Sequence, residues 1–129
     1  MRISSMNMKT VKLNVNIRFT AFEETSNRVL VKKFRSDGKP HFRVRIFLEG
    51  PDVDKIEKVV YLLHPTFPRP RREVTSGPNF ELLIWTWGTF KLPVEIYDKE
   101  SRVDQREIDF DYSGDIQNAK AKNLLFWTK

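Results

Sequence analysis

The sequence predicts an all-β protein, an immunoglobulin-like antiparallel β-sandwich of about seven or eight strands. Three observations carry this expectation. Apolar residues recur with a period of two, the apolar runs are short and bounded by turn residues, and no stretch carries a convincing amphipathic helical face. Val11, Leu13, Val15, Ile17 and Phe19 alternate with Lys12, Asn14, Asn16, Arg18 and Thr20, which sets one row on a core and the other in water. Residues 28–34 form a shorter candidate strand. Phe42, Val44, Ile46 and Leu48 alternate with Arg43, Arg45 and Phe47 until Gly50-Pro51 stops the run. Residues 59–63 and 80–85 are nearly continuous in apolar side chains and read as central strands. Leu92, Val94, Ile96 and Asp98 face opposite to Glu95 and Tyr97, with Pro93 pointing to an edge or a bulge. Ile108, Phe110 and Tyr112 alternate with Glu107, Asp109 and Asp111, and residues 124–127 are a last short candidate. Residues 115–122 tolerate a helix but predict no more than one short turn. Turn punctuation falls at 36–40, 50–51, 76–79 and 113–115.

A length of 129 residues with 40% apolar side chains suits one domain, 1–129, and no repeat, low-complexity tract or linker interrupts it. The sum of 23 Lys and Arg against 17 Asp and Glu leaves a net charge of +6. No apolar run approaches the roughly 18 residues of a membrane-spanning helix, and the polar start MRISSMNMK is no signal peptide. These features predict no membrane partner and an intracellular location, cytoplasmic in a prokaryote or nuclear in a eukaryote. The chain has no cysteine, which excludes disulfides, thiolate zinc sites, iron–sulfur clusters and a cysteine nucleophile. His41 and His64 are the only imidazoles, too few for a His-rich metal site, so neither metal nor cofactor is implied. No Ser-His-Asp arrangement and no Gly-rich phosphate loop is recognisable, and an enzyme is not expected. Glu107, Asp109 and Asp111 share one strand face and read as a solvated row rather than an acid–base set.

Information concentrates in residues 63–90, LHPTFPRPRREVTSGPNFELLIWTWGTF. Pro65, Pro68 and Pro70 forbid ladder donors, so they build a shaped loop that presents His64, Thr66 and Phe67. Trp85-Thr86-Trp87-Gly88-Thr89-Phe90 ends a strand in aromatics, with Gly88 allowing a positive φ or the close approach of another backbone. Two such loops can meet at one end of a sandwich. Trp85 continues the strand alternation and is expected in the core. Phe67 and Trp87 either wall a ligand site or fill the core, and His64 either touches a ligand or braces the neighbouring loop. Lys32, Lys33, Arg35, Lys39, Arg43 and Arg45, with Arg69, Arg71 and Arg72, form basic segments that suit nucleic acid or an acidic partner, the second candidate ligand class.

These residues resemble the YEATS domain family, closest in style to its compact prokaryotic members. The segment KVVYLLHPTFPRP at 58–70 is similar to the family's strand followed by an L-H-x-[ST]-F-x-x-P loop. Trp87-Gly88-Thr89-Phe90 is similar to its W-G-x-F turn, about 20 residues further on, and 92–97 to the strand that follows. Phe47-Leu48-Glu49-Gly50-Pro51, Phe110-Asp111-Tyr112 and Leu124-Leu125-Phe126 also find counterparts. The resemblance implies a non-enzymatic recognition module that clamps an acylated lysine, or a similar amide-bearing group, between aromatic rings at the loop end of the sandwich. It implies Phe67 and Trp87 as walls, the Thr66 hydroxyl as an amide partner, His64 as a brace or lining group, and the backbone of Trp87 and Gly88 as donors to the acyl carbonyl. Thr86 stands where many members have glycine, Thr89 where an acid is frequent, and Pro40 at the first-loop aromatic, with His41 and Phe42 beside it. The partner is then an acyl-lysine peptide or, alternatively, a partner protein in a bacterial defence or signalling assembly without an acyl ligand. Oligomeric state is left open.

Overall fold

The computed structural model describes residues 9–128; the first eight residues of the polar start lie outside this range. The strands are β1 (Asn16–Thr20), β2 (Val29–Lys33), β3 (Pro40–Glu49), β4 (Ile56–Leu62), β5 (Arg71–Val74), β6 (Leu82–Thr86), β7 (Phe90–Asp98), β8 (Val103–Phe110) and β9 (Leu125–Trp127), with helix α1 (Ser113–Ala121) before the last. The long β3 organises a five-stranded sheet. Phe42 pairs with both Val31 and Thr86, and Arg45 with both Thr20 and Leu83. Strands β1 and β2 therefore share one side of β3 and β6 takes the other, while β9 extends the sheet in parallel beyond β2. The second sheet runs β5-β4-β7-β8, antiparallel throughout.

Period-two burial explains how the sheets meet. Val44, Ile46 and Leu48 of β3, Val29 and Val31 of β2, Val59 and Tyr61 of β4, Leu92, Val94 and Ile96 of β7 and Phe110 of β8 form one buried core. The carboxylates Glu107, Asp109 and Asp111 are exposed, as their alternation required. This is the expected immunoglobulin-like sandwich, with nine strands among the described residues. Among the described residues no helix is long and apolar enough to cross a membrane.

Five local expectations are corrected. The 11–19 alternation holds in burial, with Leu13 and Val15 buried, but only Asn16–Thr20 joins a ladder. Residues 11–15 instead cross to the edge of β8, where inward-facing charge meets them. Asp104 accepts the Leu13 N–H at 2.8 Å, and Arg106 donates to the Val15 and Leu13 carbonyls at 2.6 and 2.7 Å and to Asp104 at 2.8 Å. Second, residues 113–121 form a nine-residue helix rather than a single turn. It has only two buried positions, Ile116 and Ala119, so its pattern is faint. Tertiary groups hold it: Asp115 accepts the Ala21 N–H at 2.9 Å, and Asn123, at φ 58°, ends the turn in the left-handed region. Third, Arg71–Val74 is a strand that the proline-rich reading passed over, paired with β4. Fourth, 80–85 is no central strand: Pro78–Phe80 is a 3-10 turn, and β6 has β3 as its single neighbour. Fifth, Pro93 sits in an inner strand, yet the β4 register stops at Val94, so no β4 residue pairs with it.

Gly50 ties the strand end to the crossing segment. At φ 142° it is open to glycine, and a Cβ there would lie 2.7 Å from the Asn14 carbonyl oxygen and 2.8 Å from Val15 Cα. Gly50→Ala should lower stability, measured by urea titration, by at least about 1–3 kcal/mol from the strained φ alone, because it also forces the Asn14–Val15 backbone away. Asp104 supplies a second expectation. Burial alone would raise its pKa, but the Arg106 guanidinium and the Leu13 N–H outweigh burial and hold it below the ordinary carboxylate value. A folded pKa below the unfolded one, about 3.9, means that the contribution is present above that pH and is lost as pH falls through the folded value. Stability followed by urea titration should drop on acidification below about pH 4, and less steeply in Asp104→Asn.

A groove at the loop end of the sandwich

Three connections converge at one end of the sandwich: the β2–β3 hairpin, the β4–β5 proline loop and the β6–β7 turn. The hairpin is closed by the Phe34 N–H bonded to the Lys39 carbonyl and by Gly38 at φ 67° bonded back to Phe34. The proline loop is closed by the Leu63 N–H on the Pro70 carbonyl at 2.8 Å and by the Phe67 N–H on the His64 carbonyl at 3.0 Å. Arg72 staples it further, donating to the Arg69 carbonyl at 2.7 Å and the Pro68 carbonyl at 3.0 Å. Between the three connections lies an open groove of about 810 Å³. That is ample for a side chain and its flanking backbone.

All six residues singled out from the sequence, His64, Thr66, Phe67, Thr86, Trp87 and Gly88, line this groove. Phe67 is half-buried, edge-on against Phe90 at 5.7 Å, and makes no ring contact with Trp87 among the described residues. Trp87 is 49% exposed. Its ring is covered by a cation of the same chain, with Lys39 Nζ 3.6 Å from the centroid. The Thr66 backbone N–H donates to His64 Nδ1 at 3.3 Å, which makes Nδ1 the acceptor; the Thr66 hydroxyl, 3.0 Å from the same nitrogen, then donates too. The Thr66 oxygen keeps its lone pairs for an outside donor. Thr86 is buried and its hydroxyl donates to the Gly88 carbonyl at 3.1 Å, so it braces the turn. Among the described residues the N–H groups of Trp87 and Gly88 enter no turn or loop backbone bond. Gly88 does not use a positive φ, and a Cβ on it would meet only open space.

Trp85 departs from its expected place. It pairs with Arg43 on the outer face of the five-stranded sheet, half-buried, and its ring lies 6.2 Å from Phe34 in the groove wall. The inward positions of β6 go to Leu82, Ile84 and Thr86, which shifts the alternation by one. Sequence reasoning also missed Phe34 and Asp37, and named His41 only as a neighbour of Pro40 at the first loop. His41 is 8% exposed, stacked on Phe34 at 3.9 Å, with Nε2 3.0 Å from an Asp37 oxygen. The available signal was an aromatic on each arm of a Gly-turned hairpin, Phe34 and His41. Pro40 is exposed at the start of β3 and Phe42 faces the core beside Tyr112, so Lys39 is the hairpin residue that reaches Trp87.

A sandwich that gathers exposed aromatic, hydroxyl and amide groups around an open groove offers a surface suited to recognition. The chain belongs to the prokaryotic YEATS domain family, whose profile matches residues 42–111. It is 38% identical over 71 residues to Protein AF-9 of Homo sapiens, covering 52% of this chain and 12% of that protein. It is 39% identical over 56 residues to the Protein AF-9 homolog of Saccharomyces cerevisiae, covering 40% of this chain and 24% of that protein. The match thus spans less than a quarter of either relative. Among solved structures, the Yaf9 YEATS domain is similar at a TM-score of 0.51 and 26% identity, over 82% of this chain and 81% of the other. The same domain recognizing an H3K122suc peptide is similar at a TM-score of 0.53 and 23% identity, with the same coverage. This likeness establishes the shared fold.

Exposure predicts how truncations behave. Trp87→Ala should change stability by about 1 kcal/mol or less, the scale of its exposed cation–π contact, rather than the 3–5 kcal/mol of a core aromatic. Phe67→Ala should cost more than Trp87→Ala, because Phe67 packs on Phe90. Gly88→Ala should leave the urea midpoint unchanged, since its Cβ enters free space. A loss in the core range for Trp87→Ala would make Trp87 structural.

Proposed function

We propose that the domain reads an acylated lysine in a peptide or protein partner, with the acyl amide against Trp87 and Thr66. The observation that carries this reading is the coincidence, in one groove, of an exposed indole, a hydroxyl whose proton is committed to His64, and backbone N–H groups without a loop or turn partner. A secondary amide has one donor, one acceptor and a flat apolar body. Its N–H suits the Thr66 oxygen, its carbonyl suits the Trp87 and Gly88 N–H groups, and its acyl chain suits the faces of Trp87 and Phe67. Gly88, with open space where a Cβ would be, lets the carbonyl approach. Unmodified lysine is disfavoured twice. It must desolvate an ammonium, and it meets Lys39 and Arg72 on the groove lining. Membership of the YEATS family, and the description of a fold relative as recognizing a succinylated histone peptide, support the same reading.

The acyl group competes with Lys39 for Trp87. A cation–π contact at an exposed site contributes about 0.5–1 kcal/mol, or roughly two- to fivefold in affinity. Titrating neutral-flanked acetyl-lysine and unmodified peptides into the ¹⁵N-labelled domain should shift the Trp87 indole and the Gly88 amide for the acylated peptide alone. Trp87→Ala should abolish the shift of the Gly88 amide and Gly88→Ala that of the Trp87 indole, and Lys39→Ala should tighten binding by the factor just given. Identical responses to both peptides would remove the acyl-lysine reading.

A further inference from the structure

Four cationic side chains rim the groove against a single lining carboxylate, Asp37, so positive charge is in excess there. Lys39 and Arg72 lie on its lining, and Arg35 and Arg69 are exposed on the two loops that flank it. Among the described residues none of these four forms an ion pair, and the two carboxylates nearest them, Asp37 and Glu73, already face other groups. Glu73 is shared between Arg71 and Lys58 at 3.1 and 3.9 Å. Asp37, the carboxylate on the groove lining, already accepts from His41 and from the Lys39 N–H at 2.9 Å. Arg72 donates from Nε and Nη2 to the loop carbonyls of Arg69 and Pro68, neutral acceptors that leave its charge without a carboxylate partner among the described residues. Burial and then the neighbouring Arg69 charge push the Arg72 pKa below the ordinary arginine value, as expected where like charges crowd.

An acylated lysine carries no charge, so it gives this rim nothing to attract. The complement must come from the residues beside it. We infer that the segment carrying the acyl-lysine is acidic on its flanks, with Asp or Glu within a few residues of the modified side chain, and is therefore unlike a basic tail. This inference rests on the acyl-lysine reading and adds the partner's chemistry. A basic flank would bring like charges toward Lys39, Arg35, Arg69 and Arg72 across a Debye length of about 10 Å. An acidic flank gains from the same four groups. It also receives Lys39 when the acyl amide displaces that ammonium from Trp87, so the cation moves from a π face to a carboxylate instead of into water.

The test is a panel of peptides with the same central residue, acetyl-lysine or unmodified lysine, flanked by Glu, Gln or Lys, titrated by calorimetry at low and high salt. For the acetylated set, Glu flanks should bind about tenfold more tightly than Lys flanks at low salt, and the difference should shrink as salt rises. Arg35→Ala/Arg69→Asn, the asparagine chosen because Arg69 sits at φ 48°, should reduce the preference and leave the Gln-flanked acetyl peptide unchanged. Lys39→Ala should tighten the Gln-flanked peptide and weaken the Glu-flanked one. Equal affinity for all three acetylated flanks, or Lys39→Ala acting alike on both, would overturn the acidic-flank inference and leave the acyl-lysine reading intact. Glu-flanked peptides bound equally with and without the acetyl group would overturn that reading. A single-stranded oligonucleotide that binds more tightly than any peptide, with no response to Trp87→Ala, would overturn both and make the rim a nucleic-acid surface.

Discussion

The site hangs on a column of aromatic rings that begins in the centre of the core. Phe110, fully buried at the end of β8, meets Phe19 of the opposite sheet at 5.0 Å, Tyr112 at 5.4 Å and Phe90 at 5.1 Å. Phe90, the first residue of β7, passes the contact outward to Phe67 at 5.7 Å and His64 at 5.9 Å. Tilted and edge-on pairs of this kind contribute about 0.5–1.5 kcal/mol each beyond their burial. Their greater consequence is geometric. The proline loop is not free to drift, because one of its rings is the last member of a stack that closes the sandwich.

The same loop is restrained by polar means that complement the stack. Three prolines limit its backbone torsions, Arg72 bonds two of its carbonyls, and the Leu63–Pro70 bond draws its ends together. At the far side of the sandwich, Asp104 and Arg106 use charge where the core would otherwise open. Both face inward on β8, and together they satisfy the backbone of residues 13 and 15. Charged hydrogen bonds in a half-buried place are tolerated because every partner is present. A binding end held by aromatics and an opposite edge held by an ion pair divide the molecule into a recognition side and a structural side.

The free site is not empty of interactions. Lys39 rests on Trp87 because the Gly38 turn delivers it there and because an exposed indole face attracts a cation. A groove whose wall is already solvated by its own lysine discriminates by exchange: an incoming group must offer the indole, or the lysine, something better. That couples the hairpin to the β6–β7 turn although the two are far apart in sequence.

Much of the fold was legible in the chain. Period-two alternation in 42–48 and 107–112 identified the core rows, and the sequences HPTFPRP and WGTF marked both loops of the site and the family. These signals are local: a strand's buried face and a proline loop's rigidity are written in consecutive residues. The rest was decided by tertiary structure. Helix α1 forms on two buried side chains and an aspartate that reaches Ala21; β5 exists because β4 offers it an edge; β6 turns Trp85 outward because its register on β3 puts Ile84 and Thr86 inside. The groove's remaining wall, Phe34 with His41 and Lys39 with Trp87, arises only when the hairpin folds across the β6 end. Each of these outcomes is a pairing between segments distant in sequence, selected by which hydrogen bonds and which buried area remain available once the core has formed, and no window of neighbouring residues contains that choice.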